Sequence, residues 1–172
     1  MPFSSERGKP FIKEIVSRLP HERILDIGAG CGTYARMFPN SHKTAIEIWP
    51  AYITKYDLMN LYDVLHCEDA RTWEPDGHYD VAFAGDVLEH MTREEAGKLL
   101  IKLQNAADTV IVSIPLGHYP QGEYEGNPYE THVVDNYSDE EVRAAFGDPD
   151  YTKIDGEIGV YIYSKHKLKP KI

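Results

Sequence analysis

Three alternating glycines, Gly28, Gly30 and Gly32, follow Asp26 within the stretch RILDIGAGCGTYARMF, residues 23–38. Ile24 and Leu25 before them are apolar, and a helical pattern resumes after them. The stretch therefore reads as strand, tight turn and helix. Glycines in such a turn let backbone approach a ligand that any Cβ would push away. Their spacing carries information. A dinucleotide fingerprint is G-x-G-x-x-G, whose third glycine serves close helix–strand packing beside a pyrophosphate. Here the third glycine comes one residue early, and Thr33 stands where a dinucleotide binder has glycine. NAD-dependent reduction is accordingly a weak reading.

If Gly28–Gly32 is the first βα turn of a doubly wound fold, an acid for a ribose is expected about 20 residues on, at the end of the second strand. Glu47 closes the β-like run Lys43–Ile46, 21 residues after Asp26 (47 − 26). A carboxylate there can accept from both ribose hydroxyls, each charge-assisted bond contributing about 1.5–3 kcal/mol. Further along, Asp86, Glu89 and His90 have D-x-x-E-H spacing where a strand turns into a helix, and His132 follows in Asn127-Pro128-Tyr129-Glu130-Thr131-His132. His132 and His90 are the leading candidates for a general base, with His118 and Glu130 behind them. A well-placed base is worth roughly 10²–10⁴-fold in rate.

The elements that must hold these groups alternate. A helix is expected at about Phe11–Leu19, its apolar residues on a 3.6-residue period. The opening residues 1–10 read as loose. Strands end near Asp26, Glu47, Asp69 and Gly85, and a fifth covers Val110–Ile114. Helices are expected at Tyr34–Phe38, within Asp57–Leu65 in part, at Thr92–Ala106 and from Ser138 to about Phe146. Thr92 with Glu95, and Ser138 with Glu141, form capping boxes. Asp155-Gly156 between two alternating apolar runs predicts a closing β-hairpin. The expected fold is α/β, a doubly wound, Rossmann-like, mostly parallel sheet ending in an antiparallel hairpin, as one domain over residues 1–172. Residues 116–137 hold glycines, prolines and the aromatics Tyr119, Tyr124, Tyr129 and Tyr137. They read as a long substrate loop.

The segment Asp26–Gly32 resembles motif I, (D/E)-x-G-x-G-x-G, of the class I S-adenosylmethionine-dependent methyltransferases. The phrase YDVAFAGDVLEHM, residues 79–91, resembles the fourth-strand motif of their ubiquinone-biosynthesis-like group. The matches span roughly residues 10–115. The resemblance implies an enzyme of minimal methyltransferase core that uses S-adenosyl-L-methionine and releases S-adenosyl-L-homocysteine. Asp26, Gly28, Ala29, Gly30 and Gly32 would hold the amino-acid tail, Glu47 the ribose, and Asp69 with Ala70 the adenine amino edge. Ile48 and Trp49 would wall the ring, and Gly85 and Asp86 would border the methionyl end. The implied reaction is O-methylation of a small molecule. Asp86, Glu89, His90 and His132 also look like the E-x-x-E-H metal site of small-RNA 2′-O-methyltransferases and some ubiquinone-pathway enzymes, with aspartate in the first place. A divalent metal would suit that set. The metal-free reading, in which Glu89 and His90 anchor the helix start, is preferred. Another class of reading is a cofactor-binding partner or regulatory subunit with little activity.

Composition narrows the classes. With 172 residues, 42% of them hydrophobic, the chain can bury a substantial core. A formal charge of −10 disfavours naked nucleic acid as a partner, and the basic cluster Lys165–Lys171 reads as a solvated end. Asn127-Pro128-Tyr129 falls after the fifth strand rather than the fourth, which argues against base methylation. Cys31 and Cys67 are too few for a disulfide framework and read as reduced thiols of a cytoplasmic protein. No apolar span is long enough for a membrane helix. No G-x-S-x-G elbow, phosphate loop or H-E-x-x-H is present. A cap for the acceptor would come from the middle loop, the N-terminus or a partner subunit, a homodimer being compatible with the chain.

Overall fold

In a computed structural model that describes residues 5–168, one seven-stranded sheet organises the chain in the order β3-β2-β1-β4-β5-β7-β6. The strands are β1 (Arg23–Ile27), β2 (His42–Ile46), β3 (Val64–His66), β4 (Tyr79–Gly85), β5 (Ala107–Pro115), β6 (Tyr151–Asp155) and β7 (Ile158–Ser164). β1 to β5 run parallel; β7 pairs antiparallel with both β5 and β6. The closing hairpin is thus present, turning through Gly156 in the left-handed region. The helices are α1 (Lys9–Val16), α2 (Thr33–Met37), α3 (Pro50–Lys55), α4 (Arg93–Ala106) and α5 (Asp139–Phe146).

Period-2 alternation on buried strands sends neighbouring side chains to opposite faces. Leu25, Ile27, Ala82 and Val110 pack on one face against α4 and α5. Ile24, Val81, Phe83 and Ile111 pack on the other, against Ile12, Ile15 and Val16 of α1 and Tyr34 of α2. Both expected capping boxes form, at Thr92 with Glu95 and at Ser138 with Glu141, each cap contributing about 1 kcal/mol.

Several boundaries differ from the sequence reading. α1 begins two residues early, because Gly8 at φ 77° ends the preceding chain and Pro10 suits a helix start. Its tail past Val16 is turn rather than helix. Within 57–65 only Leu58–Asn60 winds, as a 3-10 turn. β5 reaches three residues further back than expected, following α4 without a break. Residues 5–10 are not loose: Gly8 donates to Asp155 at 3.0 Å and Ser5 to Asp86 at 3.3 Å. Residues 1–4 and the end of the basic cluster lie outside the described residues, while Lys165 donates to the Ala107 carbonyl at 2.9 Å. No helix among the described residues is long and apolar enough to cross a membrane.

The middle loop is built, not structureless. Gly117 donates to the Tyr137 carbonyl and Tyr119 to Asp135, both at 2.7 Å, and His132 donates to Gln121 at 2.9 Å. The two arms therefore zip together. Tyr137 is fully buried in the core, so it packs rather than facing a ligand.

Candidate functional site

The strand order reverses between β1 and β4, and the carboxyl ends of the parallel strands open there into a cleft. Ligands of open α/β sheets bind at such a switch point. Gly28, at φ 66°, makes the first turn; a Cβ on it would meet Val87 Cγ2 at 2.7 Å. On the facing side, a Cβ on Gly85 would lie 2.3 Å from the Tyr34 hydroxyl. A side chain at either position would displace Val87 or Tyr34 from the cleft wall.

Glu47 sits at the carboxyl end of β2, 4% exposed. Its Oε2 accepts from Gly30 N–H and its Oε1 from Trp49 N–H, each at 2.8 Å. Burial pushes its carboxyl above the usual range, opposed by these amides. Asp69, after β3, accepts from Arg71 Nε at 3.0 Å and from the Arg71 amide at 2.9 Å. The guanidinium holds Asp69 below the ordinary carboxylate range, and it reaches on to Glu95 at 2.9 Å. Asp86 follows β4 in a left-handed conformation, φ 55°, a strained state for a residue with a Cβ. Ser113 Oγ donates to it at 3.1 Å.

The predicted cofactor residues fall into two groups. Gly28, Ala29, Gly30, Glu47, Ile48, Asp69, Ala70, Gly85 and Asp86 all line the cleft. Asp26, Gly32 and Trp49 stand outside that lining. Asp26 is buried beneath the glycine turn, where the Tyr62 hydroxyl donates to it. Burial pushes its carboxyl up to about 7, with Tyr62 opposing and Glu47 adding to the rise. Gly32 packs against Leu61, and Trp49 meets the Tyr129 ring edge-on at 6.1 Å. The sequence reading did not include Tyr34, Tyr52, Arg71, Asn127 or Tyr129 in the wall of this cleft. Asn127 is buried, and its side chain accepts from Tyr129 N–H at 3.0 Å to start the 3-10 turn Pro128–Glu130. The crowding of Asn, Pro, Tyr and Glu in that loop was the available signal.

A second, smaller cavity adjoins the cleft and shares Asp86 and His90 with it; Ser5, Glu89, Tyr119, Gln121 and His132 complete its polar lining. The Glu89 carbonyl accepts from Val133 at 2.8 Å and Val134 at 3.0 Å. Those two bonds bring the loop to the end of β4 and place His132 beside His90, ring centres 4.9 Å apart. His90 Nδ1 lies 3.2 Å from the Thr131 carbonyl and His132 Nδ1 2.6 Å from that of Tyr119. A carbonyl can only accept, so both Nδ1 atoms carry the proton and both Nε2 atoms are left as acceptors. Burial lowers His90 to about 4 and lowers His132 as well, so both are neutral near pH 7. Glu89 is 1% exposed, and burial first, then Asp86, drives its carboxyl well above the usual range. Its Oε2 has no hydrogen-bond partner among the described residues. One ligand atom each of Glu89, His90 and His132 lies within 4.8 Å of the others. Asp86 is not in that group. His118 points to solvent and pairs with Asp135 at 3.7 Å, away from both cavities. Glu130 is buried in the cleft wall, with Gln121 donating to it at 3.3 Å.

No protein-family model matches the chain, and no curated protein matches it in sequence. Solved structures do. An S-adenosylmethionine-dependent methyltransferase from Clostridium acetobutylicum aligns with a TM-score of 0.68 at 12% identity, over 90% of this chain and 89% of its own. Magnesium protoporphyrin IX methyltransferase (ChlM) from Synechocystis, solved with S-adenosylmethionine bound, gives 0.65 at 17% identity over 90% and 76%. The 16S rRNA methylase RmtB gives 0.61 at 18% identity over 93% and 62%. This chain has the fold of the class I S-adenosylmethionine-dependent methyltransferases.

Proposed function

We propose that this chain is an S-adenosylmethionine-dependent methyltransferase acting on a hydroxyl of a small molecule. The observation that carries the reading is the junction of the two cavities at Asp86 and His90, with the His132 imidazole beside His90 in the second cavity. The cleft suits the donor. Its glycine-bared floor admits a close-lying chain, Glu47 ends β2 where a ribose belongs, and Ile48 and Ala70 offer an apolar slot near Asp69. When bound, S-adenosylmethionine supplies a methyl group on a cationic sulfur that leaves as a neutral thioether.

The chain's own residues do the rest. The walls of the second cavity hold an acceptor hydroxyl beside His90 and His132, and such positioning is worth about 7–11 kcal/mol of barrier. As the new carbon–oxygen bond forms, the hydroxyl proton passes to Nε2 of one of these histidines, whose Nδ1–H stays on its backbone carbonyl. Burial keeps both imidazoles in the proton-accepting form. The chain's net charge of −10 favours a small acceptor over a polyanion.

A second reading is favoured by one observation, the unpartnered Oε2 of buried Glu89 beside His90 and His132. Those three residues would hold a divalent ion, which would bind an acceptor oxygen and lower its pKa. The first test is thermal unfolding with S-adenosylhomocysteine and, in parallel, NAD. Stabilisation of about 2.7 kcal/mol at 100 times the dissociation constant is expected with S-adenosylhomocysteine alone. Stabilisation by NAD alone, or by neither, overturns the assignment. Stabilisation by S-adenosylhomocysteine without methyl transfer to any phenol, glycoside or amine points instead to a cofactor-binding regulatory subunit.

A further inference from the structure

Lys9, at the start of α1, is 5% exposed. Lysine is almost never so buried without a partner, because an ammonium withdrawn from water loses its hydration. Among the described residues its Nζ makes one hydrogen bond, to the Ser5 carbonyl at 2.7 Å, and no ion pair. It lies 5.8 Å from the centre of the Tyr34 ring, whose residue lines the cleft. The charges that favour the ammonium belong first to Asp86, then to Glu6, Cys31 and Asp26. Lys9 thus stands behind the cleft floor, between the glycine turn after β1 and the end of β4.

That is where the amino-acid tail of the donor would run if its adenosine occupies the side of Glu47 and Asp69. The tail is a zwitterion. Its ammonium finds carboxylates in plenty, since the cleft lining holds Glu47, Glu68, Asp69, Asp86 and Glu130. Its carboxylate finds one guanidinium, Arg71, already engaged by Asp69 and Glu95. An anion entering this lining therefore needs a cation from outside it.

We propose that Lys9 supplies that cation and is the binding point for the carboxylate of the cofactor's amino-acid tail. The inference rests on the cofactor reading above. Swinging past the Tyr34 ring, Nζ exchanges its bond to the Ser5 carbonyl for one to the incoming carboxylate. That contact offsets the desolvation of both charges, and releasing Ser5 couples tail binding to the segment that touches Asp86 and lines the second cavity.

The test compares S-adenosylhomocysteine with 5′-methylthioadenosine, which keeps the adenosine and lacks the tail, by calorimetric titration of the full chain. Lys9→Met should weaken S-adenosylhomocysteine at least tenfold and leave 5′-methylthioadenosine within twofold. Lys9→Arg, which keeps the charge, should recover most of the loss. Should Lys9→Met fail to fold, Lys9→Gln carries the same comparison. Equal weakening of both ligands assigns Lys9 a purely structural role under Tyr34 and overturns the proposal, as does unchanged S-adenosylhomocysteine affinity. If the unsubstituted chain binds neither ligand, the cofactor reading itself falls. Binding by the unsubstituted chain with no loss in Lys9→Met removes the Lys9 proposal alone.

Discussion

Glu47 and Gly30 are tied across the mouth of the cleft: one carboxylate oxygen of Glu47 accepts the Gly30 amide at 2.8 Å, while the other accepts that of Trp49. A single side chain therefore fixes the glycine turn against the start of α3 before any ligand arrives. Two N–H groups demand two acceptors, and only a carboxylate offers both. Glu47→Ala should weaken S-adenosylhomocysteine at least tenfold, by loosening the turn and removing the ribose acceptor. Glu47→Gln should also weaken it, since its NH₂ must face one of those amides. Calorimetric titration reads both; unchanged affinity removes the ribose assignment.

Asp26 makes stability depend on pH. The folded state keeps a proton on this buried carboxyl up to about pH 7, whereas the unfolded chain releases it near the ordinary 3.8. Folding binds the extra proton between those values, so this group's contribution falls as pH rises from about 4 to 7 and is level above. Asp26→Asn should flatten that slope in urea unfolding measured from pH 4.5 to 8. A slope unchanged in the variant rejects the buried, proton-holding state.

Tyr62→Phe removes the hydroxyl that satisfies Asp26. A buried acceptor left without its donor costs about 1–3 kcal/mol, which urea unfolding at pH 7.5 should show. The same hydroxyl favours the charged form of Asp26, so its loss should extend the pH slope to higher values. Wild-type stability in Tyr62→Phe would mean that water replaces the hydroxyl.

His132 and His90 both line the second cavity, their ring centres 4.9 Å apart. His132→Ala and His90→Ala should each lower turnover on a hydroxyl acceptor, by about 10²–10⁴-fold if that residue is the base. His132 lies outside the cleft lining, so its variant should keep S-adenosylhomocysteine affinity. Turnover with an acceptor found by screening, set against ligand titration, separates the two effects. Full turnover in both variants rejects histidine catalysis.

The Glu89, His90 and His132 group gives the metal reading a direct check. If the three hold an ion, Mn²⁺ should raise the unfolding temperature of the untreated chain and not that of Glu89→Gln. A chelator should then abolish transfer, and added Mn²⁺ or Mg²⁺ should restore it. Indifference of both unfolding and transfer to chelator leaves Glu89 as a neutral buried acid beside the two imidazoles.

Much of this molecule is local, and what is local was legible in the sequence. The buried apolar run Ile24-Leu25, the glycine turn after β1, the capping boxes at Thr92 and Ser138, and the Asp155-Gly156 turn each follow from the apolarity, φ freedom or hydrogen bonding of a few neighbours. Their order along the chain dictates a parallel sheet closed by a hairpin, and with it the edge where Glu47, Asp69 and Asp86 must gather. Tertiary structure decided which way side chains of that edge face. Asp26 precedes the glycines as a cofactor residue would, yet the strand pleat and Tyr62, 36 residues away, turn its carboxyl beneath the turn. Tyr137 reads as a loop aromatic and becomes core, because the arms of 116–137 zip together and bury it. His132 meets His90 only because two backbone bonds from Val133 and Val134 converge on the Glu89 carbonyl. Lys9 gives no sign in the sequence of being buried. Contacts between residues tens of positions apart leave no periodic trace, and only the folded chain brings them within bonding distance.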